Sequence, residues 1–227
     1  MKNVLIFIFA LTTSCVLYAQ QQDMHTWYGF KVEGELNKSL GFSFEPELRL
    51  FENAGRVHSW LTEFSLYYEL HKRIMLGGLY RYQVEYDKPD YNERIHRTAM
   101  YLNFNYKIKR FRWRYRAMLQ NEYRNRLTSA NGSKNYLGHR HKLSLKYYRK
   151  KWKVRPSAGV EYYFSLQPAT HHGRWKSRYF AGVDYKWSKE LNFGLSYKLQ
   201  DEFNVREPEQ FHIFQLGVEY QPKFLKR

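Results

Sequence analysis

Phe111-Arg112-Trp113-Arg114-Tyr115-Arg116-Ala117-Met118-Leu119-Gln120-Asn121-Glu122-Tyr123 is the stretch whose reading decides the fold. Phe111, Trp113, Tyr115, Ala117, Leu119 and Tyr123 share one parity, with Asn121 the exception. Arg112, Arg114, Arg116, Gln120 and Glu122 share the other, with Met118 the exception. Wound into a helix, the segment would gather Phe111, Arg114, Tyr115, Met118 and Glu122 on a face that is neither apolar nor polar. Pleated as a strand, it separates rings from charges, because successive side chains point to opposite faces. Residues 191–200 repeat the pattern, with Leu191, Phe193, Leu195, Tyr197 and Leu199 set against Asn192, Gly194, Ser196, Lys198 and Gln200.

Outward from this segment, the same period predicts eleven strands, at 26–36, 40–51, 57–70, 74–86, 94–106, 111–124, 139–148, 152–164, 177–187, 191–203 and 211–221. Most are about twice as long as the five or six residues usual in soluble sheets, and a tilted membrane-crossing strand needs ~9–11 residues. The connections alternate. Short turns at 37–39, 71–73, 107–110, 149–151 and 188–190 are separated by longer polar loops at 52–56, 87–93, 125–138, 165–176 and 204–210. Short turns on one rim and long loops on the other describe an outer-membrane barrel, with the short turns toward the periplasm. The expected fold is therefore all-β, a single closed antiparallel transmembrane β-barrel of about 10–12 strands with a polar, charged lumen and aromatic girdles. Eleven is odd, whereas bacterial single-chain barrels have even counts. Either a strand is missing from the reading, one segment stands outside the wall, or the first and last strands pair in parallel. Pro46 and Pro156 fall inside strands and each removes a ladder hydrogen bond, so a bulge or local distortion is expected at both.

Composition agrees. The chain has 227 residues, 19% of them aromatic, with 38 Lys+Arg against 21 Asp+Glu and a formal charge of +17. Mean hydropathy is −0.74, and past residue 19 no apolar run approaches the ~20 residues of a membrane helix. The aromatic content excludes disorder, and one cysteine excludes a disulfide framework or a cysteine-based zinc site. Residues 1–19 read as a cleaved secretory signal peptide: Met1-Lys2-Asn3 is basic, Val4 to Leu11 is apolar, and Leu17-Tyr18-Ala19 offers a cleavage site. Cys15 as a lipid-attachment cysteine is the weaker alternative. Residues 20–227 then form the barrel domain.

The polar parity is crowded with charge. A lumen cluster is expected of Glu45, Glu47, Arg49, Glu63, Arg81, Glu85, Arg112, Arg114, Arg116, Glu122, Lys142, Glu161, Arg178 and Asp184. Early strands are acidic and middle strands basic, so opposite charges should meet across the lumen. An unpaired charge in a poorly hydrated interior costs several kcal/mol. A salt-bridged, hydrated plug is favoured over an Arg-lined channel, because small barrels are filled by side chains. Tyr106, Trp113, Tyr147, Trp152, Tyr185 and Trp187 flank the short turns on the apolar parity, as aromatics at the lipid headgroup level do. Surplus cations in the turns and loops point to outer-membrane lipids and lipopolysaccharide phosphates as partners, besides the barrel-assembly machinery. A basic chain rich in rings would suggest nucleic acid inside a cell, but export removes that reading. A monomer is expected.

No motif carries chemistry. GxGxxG, GxSxG, a P-loop, HExxH and paired CxxC are all missing from the sequence, and the residues call for no cofactor and no metal. His139 and His141 share a strand face without a third ligand. A lipid hydrolase or acyltransferase would need a long-range His–Ser pair, such as His58 with Ser65 or Ser144. A soluble periplasmic barrel for an apolar ligand would need the aromatic parity to point inward. Trp27, the Glu45-Pro46-Glu47-Leu48-Arg49 run, Gly78-Leu79-Tyr80-Arg81, Arg94, Arg114-Tyr115-Arg116 with Gln120, Glu161, and Arg178 with Gly182 resemble the domain-of-unknown-function 2490 family of Gram-negative outer-membrane proteins. The resemblance implies a single barrel with Arg and Glu inside, and brings no activity with it.

Overall fold

The computed structural model describes residues 22–88, 91–125, 134–166, 175–204 and 208–222. The leader expected at 1–19 lies outside them. Eleven strands are present: β1 (Gln22–Glu35), β2 (Leu40–Phe51), β3 (Arg56–His71), β4 (Ile74–Lys88), β5 (Tyr91–Ile108), β6 (Phe111–Arg124), β7 (Lys134–Tyr147), β8 (Val154–Ser165), β9 (Lys176–Lys186), β10 (Leu191–Glu202) and β11 (Gln210–Tyr220). Neighbours in sequence pair antiparallel, and the sheet closes on itself. The closure answers the odd count. β1 and β11 pair in parallel, in unbroken register from Gln22↔Gln210 to Val32↔Tyr220. The first strand therefore starts at the long-loop rim, and the last strand ends at the short-turn rim.

Strand ends differ from the sequence reading mainly at the long-loop rim. β5 spans 18 residues and β7 begins at Lys134. Loops read as long thus shrink, most of all between β4 and β5, which two residues separate, and four residues separate β2 from β3. The β2–β3 turn carries Glu52, Asn53 and Ala54 at φ of 53°, 57° and 63°, a left-handed run that ordinary residues resist by roughly 1–2 kcal/mol each. Asp23 holds it, its carboxylate accepting from the Glu52 and Asn53 amides at 3.1 Å each. At the other rim, Asn37 Oδ1 accepts from the Ser39 and Leu40 amides, and Ser188 Oγ from the Glu190 and Leu191 amides. These side chains mimic the backbone of a turn.

The prolines produce gaps rather than bulges. The β1–β2 ladder is interrupted between Gly29↔Glu47 and Val32↔Phe44, beside Pro46. The β7–β8 ladder ends at Lys146↔Ser157, one residue before Pro156. The register shifts instead near Arg49, Glu69 and Glu85.

The apolar parity faces outward. Trp113 and Leu195 are 38% and 49% exposed, while Arg114 and Lys198 line the lumen. That arrangement removes the soluble carrier with rings inside. Several outward-facing polar groups pair with each other: the hydroxyls of Tyr80, Tyr115 and Tyr197 share hydrogen bonds of 2.6–2.7 Å with Nδ1 of His96, His141 and His212. Tyr162 and Tyr179 join hydroxyls at 3.3 Å. Such pairing lowers the cost of polar groups on an apolar face, where partners are scarce.

Candidate functional site

The candidate site is the lumen, and it has two halves. Toward the long-loop rim it is filled. Ser59, Leu61, Gln83, Ile95, Glu122 and Ile213 are almost wholly enclosed, and His25, Phe51, His58 and Phe211 pack ring on ring above them. The polar, charged lumen also holds an apolar patch. Leu79, Ala99, Tyr101 and Met118 form an apolar cluster inside the wall, with Tyr67 against it. Glycine explains the inward rings. Gly41 faces Tyr67, Gly77 faces Tyr101 and Gly159 faces Phe180 across neighbouring strands. A Cβ on these glycines would come within 2.2–2.5 Å of the ring. Each ring lies flat over the space that a missing side chain leaves.

The ion pairs also depart from expectation. They form along the wall, within one strand or between neighbouring or next-nearest strands, rather than across the lumen. Arg81 donates twice to Glu63 Oε2, at 2.9 and 2.6 Å. Arg49 Nε reaches Glu47 at 2.7 Å on its own strand. Arg97 binds Glu122 at 2.5 Å, and Arg124 gathers Glu85, Glu93 and Glu122. Glu161, 1% exposed, is the hub of the middle level. It accepts from Arg140 at 2.5 Å, from the Tyr163 hydroxyl at 2.7 Å and from Arg178 at 3.4 Å. Arg178 continues to Gln200 Oε1 at 2.5 Å and the Tyr163 hydroxyl at 2.8 Å. Trp27, which opens the aromatic alternation in the sequence, points inward at 5% exposure. Arg49, Lys198 and Arg178 stand 4.0, 4.6 and 5.1 Å from its ring. Its negative ring face is a neutral partner for cations.

Below this level the lumen opens. A cavity of about 840 Å³ runs from Arg140, Arg178 and Lys198 down to Lys72, Arg73 and Tyr148 at the short-turn rim. Twelve Lys and Arg line it against four Asp and Glu. Asp184 pairs with Lys146 at 2.5 Å. Glu45 sits in the wall opposite Glu63, and has no ion-pair partner among the described residues. Arg112, Arg114, Arg116 and Lys142, expected in salt bridges, are held differently. Arg112 lies over the Tyr148 ring at 4.1 Å and Lys142 over Phe180 at 4.8 Å. Arg114 Nε donates to Asn105 Oδ1 at 2.9 Å, and Arg116 Nε to Asn103 Oδ1 at 2.8 Å. Arg116 also covers Tyr101 at 4.5 Å. Neutral groups take the place of carboxylates.

The residues expected at the membrane interface lie on the outer face. Tyr106, Trp113, Tyr185 and Trp187 are exposed there. Tyr147 packs edge-on against Trp152 at 6.2 Å, and Trp152 belongs to the β7–β8 turn rather than to β8. Residues missed by the sequence reading include Arg97, Tyr163 and Gln200, and Trp27 is named there without its inward role. For Arg97 a signal was present: Asn103, Asn105 and Lys107 carry its parity at the other end of β5.

Among the described residues, His58 and Ser144 do not come together. His58 packs beside Phe51 at the long-loop rim, whereas Ser144 lines the cavity at the opposite end and donates to the Arg114 carbonyl at 3.4 Å. His139 Nδ1 and His141 Nε2 share a hydrogen bond of 3.0 Å.

Closed wall, outward rings and ionic interior together define a β-barrel of the outer-membrane type. The chain belongs to the family described as protein of unknown function DUF2490, whose profile matches residues 24–212. Among solved structures, it is similar to the β domain of the Bordetella autotransporter Brka. The identity is 14%, over 82% of this chain and 86% of that one, with a TM-score of 0.50. A siderophore receptor, PirA from Pseudomonas aeruginosa, matches at 13% identity over 74% of this chain and 32% of its own, with a TM-score of 0.34. The comparison with curated proteins finds no match.

Proposed function

We propose that the protein is a monomeric barrel of the Gram-negative outer membrane, exported by its first 19 residues, of the structural or small-channel type, with a lumen blocked toward the long-loop rim. The short turns face the periplasm. Outer-membrane lipids and lipopolysaccharide phosphates surround it, and the barrel-assembly machinery inserts it. One observation carries the reading. Large apolar and aromatic side chains, Met100 at 64% exposure among them, cover the outside of a closed wall, while the Glu161, Glu122 and Glu63 ion pairs occupy the inside. Apolar patches of that extent are not left to water by a soluble monomer, and lipid demands a wall whose ladders have no free edge.

The test combines extraction with electrophoresis. The protein is expected to resist salt wash, to leave the envelope in detergent, and to migrate differently before and after boiling. In planar bilayers it should hold a steady baseline, or show only small openings that favour anions. Release into salt wash would overturn the membrane assignment. Large openings that favour cations would overturn the blocked, basic lumen.

A further inference from the structure

We propose that the cavity at the short-turn rim is a binding site for a soluble multivalent phosphate compound, entering from the periplasmic side. The inference deepens the reading above and rests on it for the direction of entry. Arg112, Arg114, Arg116, Lys142 and Lys198 converge on one space of about 840 Å³, a size typical of small-ligand sites. Among the described residues none of the five forms a salt bridge; Glu33, Glu47, Glu63 and Glu161 act on four of them only at longer range. Their contacts are the rings of Tyr148, Tyr101, Phe180 and Trp27 and the amide oxygens of Asn105 and Asn103. These contacts leave donors unused. A ring takes the face of a guanidinium and spares its N–H edge. Arg114 and Arg116 each spend Nε on an amide oxygen, and their terminal nitrogens remain for an oxyanion. A guanidinium fork suits phosphate oxygens in particular.

Charge favours an occupant. Arg116, Lys142 and Lys198 are half-buried, where charge without counter-charge is costly, while Arg112 and Arg114 stay exposed toward the mouth, and the wall supplies four acids to twelve bases. Glu161 and Asp184 are already engaged by Arg140, Arg178 and Lys146. Phosphoryl groups bring the most negative charge into the least volume. A membrane lipid is the less suitable source. Arg116 lies five residues above the turn at Phe111, about 16 Å along the strand at ~3.3 Å per residue, and it faces away from the acyl chains.

The experiment uses the full chain reconstituted in phosphatidylcholine vesicles or detergent micelles, with inorganic tripolyphosphate titrated by calorimetry. Tripolyphosphate should bind at least tenfold more tightly than orthophosphate, and the affinity should fall steeply with added sodium chloride. The combined variant Arg112→Gln, Arg114→Gln, Arg116→Gln should lose at least tenfold in affinity. Arg114→Gln alone should lose severalfold, and serves if the combined variant fails to fold. Lys38→Gln, in a turn outside the cavity, should change nothing. Absence of binding, or equal binding by the Arg variants, overturns the site. Displacement by phosphatidylglycerol vesicles but not by phosphatidylcholine overturns the soluble source in favour of a headgroup. Heat-dependent migration is scored on the same samples. If it persists while binding is absent, the site fails and the barrel reading stands.

Discussion

Glu161 shows how much one side chain carries. Two arginines and a tyrosine hydroxyl converge on its carboxylate in a nearly sealed space. Removing its charge strands Arg140 and Arg178, and breaking a buried pair costs about 3–5 kcal/mol. Glu161→Gln is therefore expected to lower folding stability by that amount. The check is the urea midpoint of folding into lipid vesicles, with Gln200→Ala as a milder comparison, since it removes only one neutral acceptor. Asp23 makes a smaller contribution at the long-loop rim. Asp23→Ala frees the Glu52 and Asn53 amides of a left-handed turn. It should cost about 1 kcal/mol, the size of an ordinary hydrogen-bond loss, and should speed proteolysis at that turn. Neither role is visible in the sequence, where the alternation gives Glu161 and Glu63 the same inward position. The alternation places a carboxylate inside. It does not say how many partners the neighbouring strands bring to it, because that depends on register.

At the scale of the strand, the alternation made all eleven elements legible, and the parity of Phe111 to Tyr123 sorted outside from inside. The breaks in parity were the informative part. Met118, Tyr67, Tyr101 and Phe180 sit on the polar side because the lumen holds an apolar patch and because three of them lie over glycines. Those pairings become legible only when Gly77 is aligned with Tyr101 and Gly159 with Phe180, which a single strand cannot reveal. The device is testable. Gly77→Val should push the Tyr101 ring aside, at the roughly 1–3 kcal/mol cost of overpacking, and Tyr101→Ala in the same chain should return part of it. Urea titrations of the two single variants and the double variant measure the coupling. The rim was misread for a related reason. Polar residues at 87–93 look like loop, yet β4 and β5 continue through much of that span, since a hairpin end paired only through its backbone needs no apolar face.

For the molecule as a whole, length and alternation pointed to a membrane barrel, while the manner of closure stayed open among three readings. Nothing in a sequence declares that its first and last strands lie side by side. The β1–β11 seam settles the count, and it sets the two chain ends apart. With the short turns in the periplasm, an epitope placed just before Gln22 should be stained on intact cells, and one placed after Pro222 only after the envelope is opened. The reverse staining would invert the barrel in the membrane. A wall with an even count can be threaded as a series of hairpins, leaving head and tail in the compartment they came from. In the proposed orientation the head must travel: the residues ahead of β1 would be carried through the bilayer before the seam can zip. Bulky folded cargo fused at that point should therefore stall assembly, while the same cargo at the tail should be tolerated.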